Sequence, residues 1–227
     1  MIAAAVFVVA TVLLATLKRA RRQSGQSPAS AGGIIYFISI GIGFMLVEMA
    51  MIQQLSIFLG HPNYSFMVVL GGLIFSTGLG SLISDKVSMS SALQTRGTAF
   101  LASLLVSAYT IAVVPTTHAL TPGVLLERVL ISLLLIAPCG FVMGFCFPVG
   151  MRRLTAMQED SQLPWMWALN GAAGTLGSFL AILISMDISI AVCSFTGAAC
   201  YLVAAAALPG VSMGSGVQTE TEALVSD

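Results

Sequence analysis

Charged side chains are scarce in this sequence: nine Lys and Arg and nine Asp and Glu stand among 227 residues, and the formal net charge is zero. With no excess of positive charge, global electrostatics gives the chain no attraction for nucleic acid, and no nucleic-acid partner is expected. A water-soluble domain carries roughly a quarter of its residues as charges, against 8% here. Histidine is also nearly lacking. His61 and His118 both fall in predicted connections, which excludes the paired intramembrane axial ligands of a b-type cytochrome. The four cysteines form two pairs, Cys139 with Cys146 and Cys193 with Cys200, each seven residues apart and so two turns apart on one helix face. That spacing is too long for a disulfide within a helix, and with no His or carboxylate beside them they read as small apolar packing residues. Dinucleotide fingerprints, phosphate-binding loops, nucleophile triads and paired carboxylates are missing from every water-facing stretch. The longest internal connections, Ser84 to Gly97 and Met151 to Leu163, are too short to fold alone. The expectation is a chain that is not an enzyme and holds no cofactor or metal.

What the sequence has in abundance is apolar length: 57% of residues are hydrophobic and the mean hydropathy is +0.99. About 20 apolar residues suffice for a helix to cross the hydrocarbon core. Seven stretches approach or exceed that length: Ile2–Leu17, Ile34–Leu59, Ser65–Ile83, Thr98–Val114, Val124–Val149, Pro164–Met186 and Ile188–Leu208. The fold class read from this pattern is an all-α polytopic transmembrane bundle of about seven spans. Lys18, Arg19, Arg21, Arg22, Lys86, Arg96, Arg152 and Arg153 then lie on one side, and Arg128 alone on the other. Since cytoplasmic connections retain Lys and Arg, the first residue is expected outside and the last in the cytoplasm of a bacterial inner membrane, with the lipid bilayer as a partner. The first stretch has its charges after the apolar run and no small-residue cleavage site, which favours a retained anchor over a secretory signal. Four regions follow: an anchor over 1–22 with a basic end, a Ser/Gly/Ala/Gln-rich flexible linker over 23–33, a six-helix body over 34–209, and a small polar tail over 210–227.

Glu48 lies near the middle of the second stretch, where a carboxylate is costly unless paired, hydrated or protonated. Phe44, Met45 and Ile52 share its face, so a partner must come from another helix; Asn170 and Tyr109 are candidates, and Arg128 a more distant one. A cation or proton site and a neutral, hydrogen-bonded structural acid are both open. Gln53 and Gln54 follow toward the outer end, and His61 opens a tight turn with Pro62, Asn63 and Tyr64. Glu48, Gln53, His61 and Asn170 form the candidate polar site. Glycine is concentrated inside the spans, which in lipid signals close helix packing. Gly71 and Gly78 mark a small face on the third stretch, Gly140 and Gly144 a GxxxG on the fifth beside Pro138 and Pro148, and Gly174 and Ser178 continue a stripe from Asn170 on the sixth.

Four strings carry a resemblance: YFISIGIGFMLVEMAMIQQLSIFLGHPNYS (36–65), GLGSLIS (78–84), PCGFVMGFCFPVGMRRL (138–154) and PWMWALNGAAGTLGS (164–178). In that order and spacing they resemble the carboxy-terminal membrane region of multi-spanning bacterial spermidine-synthase-like proteins. In that family the membrane helices accompany a Rossmann-like aminopropyltransferase domain that binds a decarboxylated S-adenosylmethionine type of cofactor. This sequence has no such domain, so the family's catalytic residues have no positions to occupy here. A weaker likeness is to one six-helix half of a major facilitator transporter, through GLGSLISDK ending at Asp85 and Lys86 and through Asn170 with Gly171, Gly174 and Gly177. The expectation is a non-catalytic membrane subunit or scaffold of a larger complex, with other membrane chains or a homodimer mate as partners. The alternative is a transport module for a small cation or polyamine that works as a dimer or with a partner half.

Overall fold

The computed structural model describes residues 31–86, 92–119, 124–156 and 162–207, and all that follows concerns those residues. They form six helices: α1 (Ala31–Leu59), α2 (Pro62–Ser84), α3 (Ala92–Ala119), α4 (Leu125–Ala156), α5 (Leu163–Asp187) and α6 (Ile190–Ala207). All six are long and apolar enough to cross a membrane. The expected first span, Ile2–Leu17, and the tail over 210–227 lie outside the described residues; the six described helices are the six stretches of the expected body. α1 is helical from the first described residue, Ala31, which takes in the three residues before the expected start of the body. Gly33, with no side chain, lets Leu154 and Met166 pack against this part of α1. α3 and α4 also run further than the apolar windows, taking Arg96, Arg152 and Arg153 into helix.

Consecutive helices alternate in direction. The start of α1 meets the end of α4 and the start of α5 through Gly33, Leu154 and Met166, and at the other end the Arg128 guanidinium donates to the Phe58 carbonyl at 3.3 Å. The bundle thus has a basic end, with Lys86, Arg96, Arg152 and Arg153, and an opposite end with His61, His118, Glu127 and Arg128. The α1–α2 turn shows how local sequence makes such a reversal. Gly60 takes a left-handed φ of 78° that ends α1. His61 then caps α2, its Nδ1 accepting from the Asn63 amide at 3.2 Å, and Pro62 supplies a ready-made first helical residue.

α1 is the most enclosed helix and packs on α2, α4, α5 and α6. The remaining pairs follow a pattern. Exchanging α1 with α4, α2 with α5 and α3 with α6 turns the extensive α1–α5 contact into α4–α2, and α1–α6 into α4–α3. The exchange is incomplete: α1 packs well on α2 whereas α4 scarcely touches α5, and α5 meets α6 and α1 meets α3 where the counterparts α2–α3 and α4–α6 do not touch. No contact joins α2 to α5. The core is built from Tyr36, Phe37, Met51, Leu55, Leu73, Ile136, Leu154, Met166 and Tyr201, with the Tyr36 hydroxyl donating to the Cys146 carbonyl at 2.6 Å. Between α3 and α6 the hydroxyls of Thr110 and Ser194 lie 2.6 Å apart.

Candidate functional site

Because α2 and α5 do not meet, a groove of about 780 Å³ opens between them, floored by α1 and α4. Its position along each helix is set by sequence: Ile40 to Met45 on α1, Ile74 to Ser81 on α2, Met143 to Pro148 on α4 and Asn170 to Phe179 on α5. These segments lie toward the basic end on α2 and α4, and near mid-helix on α1 and α5.

The groove walls are small and capable of close approach. A β-carbon added at Gly78 or at Gly171 would meet nothing within 4 Å. Three hydroxyls on these walls are already satisfied within their own helices. Thr77 donates to Leu73 O at 2.6 Å, Thr175 to Gly171 O at 3.1 Å and Ser178 to Gly174 O at 3.2 Å. Such walls present a shallow, low-polarity surface, the kind a helix in lipid approaches closely. Asn170 is the exception. Its Oδ1 is enclosed and without a hydrogen-bond partner, and it sits where Gly41 leaves room, 2.9 Å from the place a β-carbon would take there.

Glu48 lies on the groove face of α1, three residues beyond Met45 and four beyond Phe44, both of which line the groove. It is 6% exposed. No side chain among the described residues hydrogen-bonds or pairs with it. Its oxygens are not among the wholly enclosed polar atoms. Tyr109, one of its sequence candidates, keeps its own hydroxyl enclosed and unpartnered on α3, and Arg128 reaches Phe58 instead.

The four expected polar residues do not converge. Asn170 meets α1 at Gly41, seven residues and so about 10 Å along the axis from Glu48. Gln53 is five residues beyond Glu48 and points roughly 140° away around the helix. His61 caps α2 in the exposed turn and stacks at a tilt against Tyr64, with ring centres 5.7 Å apart. Among the packing glycines, Gly140 faces Ser76 and Gly144 abuts the backbone of Thr77, while Gly174 faces Met45 at ordinary contact distance. Gly71 and Gly78 face open space; the glycines of α2 that touch α4 are Gly72 and Gly80, against Leu133 and the Phe141 carbonyl. All four cysteines are free thiols; Cys139 and Cys193 donate to the carbonyls of Leu105 and Leu46 at 3.5 Å.

Two features escape a reading of single helices. One is the groove, which depends on which pairs fail to meet. The other is a clamp at the basic end, where Arg152 of α4 pairs with Asp85 at 2.7 Å and donates to the Ser84 carbonyl at 2.9 Å, tying off the end of α2. The signal for the clamp was present as conspicuous charge: Asp85 is an acid just past a span end, and Arg152 a base near another. Comparison of the chain with protein-family models, with curated proteins and with solved structures finds no match.

Proposed function

We propose that this chain is a non-catalytic membrane subunit that takes a transmembrane helix of another chain into the groove between α2 and α5. The observation that carries this reading is the pair of open glycines, Gly78 and Gly171, on facing walls of a groove where the Thr77, Thr175 and Ser178 hydroxyls are satisfied within their own helices. In lipid, apolar surface alone does not drive association; close backbone approach over small residues does. Elsewhere in the molecule small residues are already used this way, at Gly80 against Phe141 and Gly144 against Thr77. The proposed setting is a bacterial inner membrane with the basic end cytoplasmic, and the proposed kinship is with the membrane region of spermidine-synthase-like proteins. The test is the size of the particle extracted in mild detergent. Wild-type chain is expected in a stoichiometric assembly with another membrane protein, and the double variant Gly78→Leu, Gly171→Leu alone. A wild-type chain running alone, or a variant that still assembles, overturns the reading.

A second reading, a transport module for a small cation or polyamine, is favoured by the partial exchange pattern that relates α1–α3 to α4–α6. Repeats of three helices with inverted topology build many secondary transporters, with the substrate near mid-membrane between them. The groove volume of about 780 Å³ also falls in the range of small-molecule sites, about 300–1,000 Å³. Under this reading Glu48 bears the charge. Cation uptake into proteoliposomes that is lost in Glu48→Gln supports it, and uptake unchanged in that variant removes it.

A further inference from the structure

Glu48 says what kind of helix the groove accepts. It is an unpaired carboxylate, 6% exposed, near the middle of α1 and one turn beyond the groove floor on the same face. Such a group in hydrocarbon is expensive until it is met by a donor. This sequence holds no basic residue at that depth. Lys86, Arg96, Arg128, Arg152, Arg153, His61 and His118 all lie at helix ends or in connections, and the remaining basic residues, Lys18 to Arg22, follow the first apolar stretch. That stretch, Ile2–Leu17, has no ionisable side chain with which to answer Glu48. Neither the chain's own first stretch nor a second copy therefore complements the site.

Resting on the docking reading above, we infer that the groove's occupant is a single transmembrane helix of a different protein, with small residues on one face and a Lys or Arg near its midpoint that pairs with Glu48. The small face fits between Gly78 and Gly171, whose missing side chains let the backbone of the incoming helix approach. The basic residue then finds its counter-charge at the outer end of the groove. Charge pairing selects the partner and fixes its depth, while the small-residue contact supplies the area.

The test uses the full chain, purified and placed in lipid bicelles, with designed fluorescent probe helices of about 22 residues. All probes share one Leu/Ala scaffold with a Gly/Ala/Ser face, and their central residue is Lys, Leu or Glu. Energy transfer is expected to show the Lys probe binding about tenfold more tightly than the Leu probe. Glu48→Gln, which keeps the side chain's shape, should abolish that preference. Glu48→Lys should transfer it to the Glu probe, so a reversed preference identifies the pairing even if the Gln variant loses some helix packing. Equal binding of Lys and Leu probes overturns the inference while leaving helix docking intact. Failure of every small-faced probe overturns both.

Discussion

The bundle contains two kinds of small-residue surface, one closed and one open. Along α2–α4 and α1–α5, glycines are pressed against neighbouring backbone: Gly80 on Phe141, Gly144 on Thr77, Gly41 on Asn170 and Gly177 on Ile42. Along the groove, Gly78 and Gly171 face empty space. The same residue type, at similar spacing, does opposite work in the two places. In the closed contacts glycine permits the helices to approach at all, because any β-carbon would overlap a carbonyl. In the open ones it costs helix stability, about 1 kcal/mol relative to alanine, with no internal contact in return. Gly71 is open as well but lies outside the groove, so it is the pairing of Gly78 with Gly171 across the groove on which the docking proposal rests.

That contrast can be broken or sharpened by substitution. The largest effect is expected at the closed α2–α4 contact. Gly80→Val or Gly144→Val drives a branched side chain into backbone and should cost about 3 kcal/mol or more, read as loss of cooperative unfolding in denaturant titration. A smaller loss, about 1–3 kcal/mol, is expected for Gly41→Ala, since its β-carbon would lie 2.5 Å from the Asn170 carbonyl oxygen. The clamp at the basic end comes next. Arg152→Ala removes a partly exposed pair with Asp85 and a hydrogen bond to Ser84, and should cost about 1 kcal/mol, measured by the same titration at low salt. At the open positions the sign turns over. Gly78→Ala and Gly171→Ala should leave the isolated chain unchanged or up to about 1 kcal/mol more stable, since both β-carbons have room. If either one destabilises the isolated body as Gly41→Ala does, the distinction between closed and open surfaces fails.

Much of the architecture was legible from hydropathy, because in a bilayer the length of an apolar run and the position of charges constrain each helix directly. The six described helices fall on the six expected stretches of the body, and their overshoot at the basic end reflects Arg96, Arg152 and Arg153, which extend a helix past its apolar window. The glycines were legible as packing residues only as a class. Which of them touch, Gly80 and not Gly78, depends on how α2 is rotated against α4, and a helical stripe does not state its own orientation. Glu48 was conspicuous as a lone intramembrane acid, but its relation to the groove required knowing that α2 and α5 stand apart. Gln53 and His61 are polar residues close to Glu48 in sequence. Helix geometry separates them, because five residues turn Gln53 well round the helix and thirteen carry His61 about 20 Å along it.

The most direct measurement of the central claim is site-specific photo-crosslinking in native membranes. A photoreactive side chain is placed at Gly78 or Gly171 in the groove, or at Ile111 and Leu134, which are exposed on α3 and α4 outside it. One protein adduct of defined mass is expected from both groove positions and none from the two controls. Adducts from all four positions alike, or from none, would contradict it.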